Sequence, residues 1–165
     1  MSKAFKKDDD DDAVPLFARR APLPEGVANY VTPFGLTALR SEQQALESEL
    51  GEAATDPSLR AISKAKLAAI AQRIACAVLV DPSPQDHAVV RFGATVELLD
   101  AAGKSRRYAI VGVDEANASS GKVAFVAPLA RALLGKRVGD VVLVRAPHGD
   151  DELEIVRIEY ASMHT

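Results

Sequence analysis

The chain has 165 residues, of which 48% are hydrophobic, enough for one ordinary domain or two small ones with a real core. Twenty Lys and Arg against 23 Asp and Glu leave a net charge of −3, which excludes an overall basic field for holding nucleic acid and favours a protein partner. The single cysteine, Cys76, excludes an internal disulfide and a multi-cysteine metal site. It reads as a buried structural thiol of a protein from a reducing cytoplasm.

No apolar run approaches the ~20 residues of a bilayer span, and the first residues carry Lys and Asp where a signal peptide needs an apolar segment. A cytoplasmic location with no membrane contact is therefore expected. Residues 1–28 contain Lys6-Lys7, the aspartate run Asp8 to Asp12, Arg19-Arg20 and prolines at 15, 22 and 24. So little apolar surface does not offset the entropy of ordering, and the composition predicts a solvated tail.

Thr32-Pro33 is a helix-start signal: a hydroxyl to cap free amides, then a residue that needs no donor. Leu36, Leu39, Leu46 and Leu50, with Gln43 at the missing step, form an apolar stripe on the helix that follows. Asp56-Pro57 repeats the start signal for a second helix with the stripe Leu59, Ile62, Leu67, Ile70, Ile74 and Val78. Two helices joined by so few residues run antiparallel, an α-helical hairpin over 29–80. Glu42, Glu47, Glu49 and Glu52 on the first helix and Arg60, Lys64, Lys66 and Arg73 on the second set an acidic beside a basic partner, which is expected to fix register.

Asp81-Pro82-Ser83-Pro84 breaks the second helix and marks a domain boundary, with a second domain over 81–165. Alternation and β-branched residues predict strands near 94–99, 106–113, 122–126, 141–145 and 153–160. Turns are expected at Ala102-Gly103, Ser119-Ser120-Gly121 and His148-Gly149-Asp150, and a short helix at 128–134 ending on Gly135. The fold class is thus α+β: a short N-terminal helical hairpin, then an antiparallel β domain with one short helix.

Little in the sequence supports catalysis. His87, His148 and His164 are scattered without a second ligand at metal spacing, and Gly135-Lys136 lacks the rest of a phosphate-binding loop. Asp114-Glu115 would project to opposite faces of a strand end, so a turn or helix-start role is expected of the pair rather than acid–base work.

The stretches FGATVELLD, YAIVGVDEA, PLARALLGKRVGDVVLV and EIVRIEY between Phe92 and Tyr160, with Asn29-Tyr30-Val31-Thr32-Pro33-Phe34-Gly35 ahead of the first helix, resemble the Gre transcription factors, GreA and GreB. The resemblance implies an FKBP-like second domain that docks on the rim of the RNA polymerase secondary channel, and a coiled coil that projects into the channel. It implies a regulatory factor with no catalysis of its own, no sequence-specific DNA binding and no cofactor of its own; a monomer is expected. In the family the coil tip carries Gly-Asp-x-x-Glu-Asn-x-x-Tyr, whose carboxylates help hold the polymerase's second magnesium; hard oxygen ligands suit such a two-metal site.

Here the tip is only Gly51-Glu52-Ala53-Ala54-Thr55-Asp56-Pro57, without the Glu-Asn pair or the tyrosine, and the coil is short as in the Rnk-like relatives. The resemblance therefore implies a channel binder that does not stimulate transcript cleavage efficiently; contact with polymerase-bound magnesium would be transient. The alternative is cleavage stimulation with Glu49, Glu52 and Asp56 as substitute acids. The rim-binding residues carried over are Ala124, Val126, Pro128, Leu129 and Arg131. An FKBP-like prolyl isomerase or chaperone is a further alternative, although such a site needs an aromatic-lined pocket and the domain has no Trp.

Overall fold

The computed structural model describes residues 20–52, 55–81 and 86–161. The aspartate run, Ala53-Ala54, Pro82-Ser83-Pro84 and His164 lie outside those residues.

Thr32 caps the first helix as its sequence predicts. Its Oγ1 accepts from the Gly35 amide at 3.0 Å, its carbonyl accepts from the Leu36 amide at 2.9 Å, and α1 runs Pro33–Glu52 straight through Gly51. Asp56 does the same for α2, Pro57–Ala75: its Oδ1 accepts from the Ser58 and Leu59 amides at 2.9 and 3.3 Å. The two helices pack along Leu39, Leu46 and Ile70, flanked by Leu36, Leu67 and Ile74. Each fully buried side chain of that seam contributes roughly 1.5–3 kcal/mol. Among the described residues no ion pair joins α1 to α2, so the expected charge matching does not set the register; the apolar seam does. Leu59 departs from the expected stripe and is 53% exposed, because it lies in the first turn of α2, at the open end of the hairpin.

The base of the hairpin holds what the sequence did not announce. Residues 29–31 form strand β1 (Asn29–Val31) and residues 77–79 form β2 (Ala77–Leu79), paired in parallel as Asn29↔Ala77, Tyr30↔Val78 and Val31↔Leu79. Val78 is therefore a strand residue, not the last of the helical stripe. The Asn29 Nδ2 donates to the Arg73 carbonyl at 3.0 Å, closing the end of α2 just where the chain turns into β2. Cys76 sits at that C-cap and is exposed, not buried, since the backbone turns outward before β2 begins.

The second domain is a five-stranded sheet in the order β5-β4-β3-β7-β6. Its members are β3 (Ala94–Asp100), β4 (Ser105–Val111), β5 (Lys122–Ala124), β6 (Val141–Ala146) and β7 (Gly149–Tyr160). Four strands alternate antiparallel; β5 joins parallel to β4, so the sheet is mixed at one edge. The crossover that makes this possible is the 112–121 connection, with a 3-10 turn at Ala118–Ser120 capped by Asn117. Ala94, Val96 and Leu98 alternate inward as the period of two requires, and α3 (Pro128–Leu133) lays Ala130 and Leu133 over them. The β6–β7 turn is Pro147-His148, with Ala146 paired to Gly149, one residue earlier than the sequence suggests.

Tyr160 ties a further segment to this core: its hydroxyl donates to the Val89 carbonyl and accepts from the Arg91 amide at 3.0 Å. Burial of the phenol raises its pKa above the ordinary tyrosine value, opposed in part by the Arg91 amide. A proton held more tightly in the folded state stabilises below the unfolded pKa of about 10, and that stabilisation is lost as pH rises through the raised value. Stability of the wild-type chain, followed by urea unfolding, should therefore fall more steeply above about pH 10 than that of Tyr160→Phe.

Two glycines are fixed by close approach to another stretch of backbone. A Cβ on Gly112 would meet the Tyr30 carbonyl oxygen at 2.6 Å, and one on Gly121, already at φ 70°, would meet the Arg107 carbonyl oxygen at 2.7 Å. Gly112→Ala should lower stability by about 1–3 kcal/mol in urea unfolding. Gly51→Ala, where nothing lies within 4 Å, should raise it by about 0.5–1 kcal/mol; equal effects at both positions would refute this reading of the contact.

Candidate functional site

The hairpin tip is plain. Over its 20 residues α1 extends about 30 Å. Glu49 and Glu52 are exposed on its last turns, and Asp56 is exposed across the connection. The cap bonds commit one oxygen of Asp56 to α2. Among the described residues no three His, Cys, Asp or Glu side chains stand close enough to hold a metal, so the three tip acids do not form a ready-made chelate.

The segment expected to dock presents less than its five residues. Ala124 closes β5 and, like Val126, is half-buried; Leu129 packs on the core beside fully buried Leu133. Pro128 and Arg131 alone are exposed. Pro128 occupies the first turn of α3, where its missing amide costs nothing, and Ala127 at the N-cap offers no side-chain acceptor. Beside this segment lies a cluster that sequence reasoning missed. The rings of Tyr30, Phe92 and Phe125 meet pairwise at 6.0, 5.4 and 5.6 Å between centroids, tilted or edge-on. No sequence signal connects a tyrosine in a three-residue strand to two phenylalanines beyond the boundary; only the hairpin's seating on the sheet brings them together. The Tyr30 ring packs against both phenylalanines while keeping one side exposed.

That seating is electrostatic as well as apolar. After β4 the chain turns back, with the Glu115 amide donating to the Gly112 carbonyl at 3.1 Å, and both acids of the Asp114-Glu115 pair face the hairpin. The expectation of opposite faces fails because the strand has already ended at Val111. The Thr32 hydroxyl donates to Glu115 Oε2 at 2.7 Å while its oxygen caps α1, and Lys122 Nζ stands 3.8 Å from Glu115 Oε1. Asp114 Oδ2 lies 2.9 Å from Arg73 Nε, a charge contact outside hydrogen-bond geometry, and Asp114 Oδ1 accepts from Arg20 Nη1 at 3.1 Å.

Arg20 also bonds Glu42 on α1, and Arg73 donates to the Ala21 carbonyl. Residues 20 and 21, expected to belong to a solvated tail, are thus strapped across the junction. Burial lowers the Arg20 pKa, but its bonds to Glu42 and Asp114 outweigh that and hold it above the ordinary value. A pocket of ≈ 50 Å³ beneath, lined by Val31, Gly35, Leu39, Glu42, Asp114 and Glu115 among others, has room for water rather than a substrate.

Residues 85–160 match the family model described as "Transcription elongation factor, GreA/GreB, C-term". A GreA of Acidiphilium cryptum is 41% identical over 96 residues, 58% of this chain and 61% of that protein. A GreB of Neisseria meningitidis serogroup A is 33% identical over 154 residues, 80% of this chain and 94% of that protein. The chain belongs to the GreA/GreB family. Among solved structures, the GreA factor homolog 1 (Gfh1) of Thermus thermophilus is 25% identical, with a TM-score of 0.41 over 81% of this chain and 99% of that one. In this Gre-family chain the family model takes in the whole five-stranded sheet and α3, whereas the hairpin and its strap lie ahead of it.

Asp114→Asn should cost about 1.5–3 kcal/mol in urea unfolding, because it leaves buried Arg73 without its counter-charge. Arg20→Ala, on the solvent side of the same carboxylate, should cost only ~0.5–1 kcal/mol. The reverse ranking would show that the strap rather than Arg73 holds the junction.

Proposed function

We propose that this Gre-family protein regulates transcription elongation by binding RNA polymerase at the rim of its secondary channel, without stimulating transcript cleavage efficiently. Family membership supports the polymerase as partner. The observation that carries the second half is the tip: arms of about 30 Å end in a connection whose only fixed acid, Asp56, is occupied as a helix cap. A carboxylate set that assists a two-metal site must present several free oxygens to one ion. Glu49 and Glu52 keep their oxygens free on the exposed face of α1, and on that ground cleavage stimulation is the second reading.

Under the first reading the protein catalyses nothing itself and carries no cofactor. It acts as a monomer in the cytoplasm, and any magnesium its tip meets belongs to the polymerase. Among the described residues no helix is long and apolar enough to cross a membrane. Docking runs through the exposed Pro128 and Arg131, with Ala124, Val126 and Leu129 shaping the surface from behind.

A backtracked polymerase complex is the decisive system. The protein alone should leave the RNA uncut and should suppress cleavage by an active Gre factor added afterwards. Shortened RNA with the protein alone, abolished by Glu49→Gln plus Glu52→Gln, would establish the second reading instead. Arg131→Ala should weaken polymerase binding by about tenfold, equivalent to 1.4 kcal/mol, while shifting stability by less than about 0.5 kcal/mol. Unchanged affinity would remove the α3 surface from the interface.

A further inference from the structure

Four cations gather around α3. The Val90 amide donates to the Lys136 carbonyl and the Gly135 amide to the Val90 carbonyl, both at 2.8 Å, and Val89 bridges Arg137. These bonds set Arg91 beside Lys136 and Arg137, just beyond Arg131 on α3. All four side chains are exposed, and among the described residues none of them is in an ion pair. The nearby acids are Asp86 and Asp140, each already accepting a backbone amide, from Ala88 at 2.9 Å and from Arg137 at 2.8 Å. The surface is therefore net cationic in a protein of net charge −3. Among the described residues the other cations outside ion pairs are Arg40, Arg60, Lys64 and Lys66, which share the hairpin with Glu42, Glu47, Glu49 and Glu52, Arg145, which is paired across the strands with Asp150, and Lys104 in the β3–β4 turn, and none of these makes a comparable excess.

We propose that the acidic segment Asp8 to Asp12 is an internal ligand for this cationic surface and competes there with the polymerase. The competition rests on the docking reading given above. Charge complementarity selects the occupant: Asp8 to Asp12 is the longest acidic run in the chain, and the next longest, Asp150-Asp151-Glu152, is held in strand β7. Tether length permits the contact. Arg20 is pinned to Asp114 and Glu42, and Asp12 lies eight residues before it. Extended chain from that anchor reaches about 27 Å at Asp12 and about 41 Å at Asp8. From Asp114 the surface follows through short bonded steps: the Val111 carbonyl accepts from Phe125 at 2.9 Å, and the Ala127 carbonyl, at the start of α3, accepts from Arg131 at 3.0 Å. A tether this short gives an effective concentration in the millimolar range, so weak pairwise attraction is enough to populate the contact, and salt screens it.

The test compares the full chain with a full-length variant carrying Asp8→Asn, Asp9→Asn, Asp10→Asn, Asp11→Asn and Asp12→Asn. Backbone amide resonances of Arg91, Arg131, Lys136 and Arg137 should differ between the two at about 20 mM salt and converge at about 0.5 M. Identical spectra at low salt, or differences confined to Arg60, Lys64 and Lys66, overturn the internal contact. The variant should also bind core polymerase about fivefold more tightly at low salt, as expected when a segment blocks the surface about four-fifths of the time. Equal affinities overturn the competition. Binding by neither form overturns the docking reading and the competition with it, while the resonances still decide whether the internal contact exists.

Discussion

The contact on which the rest of the structure depends is the charge contact between Asp114 and Arg73, which fastens the turn after β4 to the second helix of the hairpin. A carboxylate and a guanidinium this far from solvent are costly to desolvate, and they persist because each is supported elsewhere. Asp114 takes a second cation from Arg20, and Arg73 finds the Ala21 carbonyl. Its neighbour Glu115 completes the fastening by accepting from Thr32, the residue that also starts α1. One turn of four residues therefore controls how both helices leave the sheet domain.

The apolar side of the same junction works with this polar side rather than beside it. Gly112 lets the turn come close enough to Tyr30 that a side chain would collide with its carbonyl, and that approach lets the Tyr30 ring meet Phe92 and Phe125. The ring cluster packs one flank of the junction while the ion pairs hold the other.

The segment expected from resemblance to dock shows how burial edits a list of residues. Leu129 belongs to the packing under α3, Ala124 and Val126 are half-buried, and Pro128 and Arg131 carry the exposed chemistry. Around them the surface is cationic, whereas the β6–β7 hairpin carries Asp150, Asp151, Glu152 and Glu154. This uneven distribution, hidden in a net charge near neutrality, gives the domain an orientation in the field of any charged partner.

By itself the sequence determined the elements whose signals are local. Thr32-Pro33 and Asp56-Pro57 start both helices because a cap and its proline act within one turn, and the inward alternation of Ala94, Val96 and Leu98 fixes β3 because the period of two is built into the strand. The family motifs, equally local, named the second domain. Tertiary structure alone decided the rest. Strands β1 and β2 are three residues long and carry no period; they exist because the two ends of the hairpin meet. The parallel seating of β5, the exposure of Cys76, and the conversion of Asp114 and Glu115 from turn residues into the fastening of the junction depend on partners distant in sequence. Local pattern reports what a segment does alone, whereas an ion pair such as Asp114 with Arg73 forms only after separate segments have been packed together and water has been excluded between them.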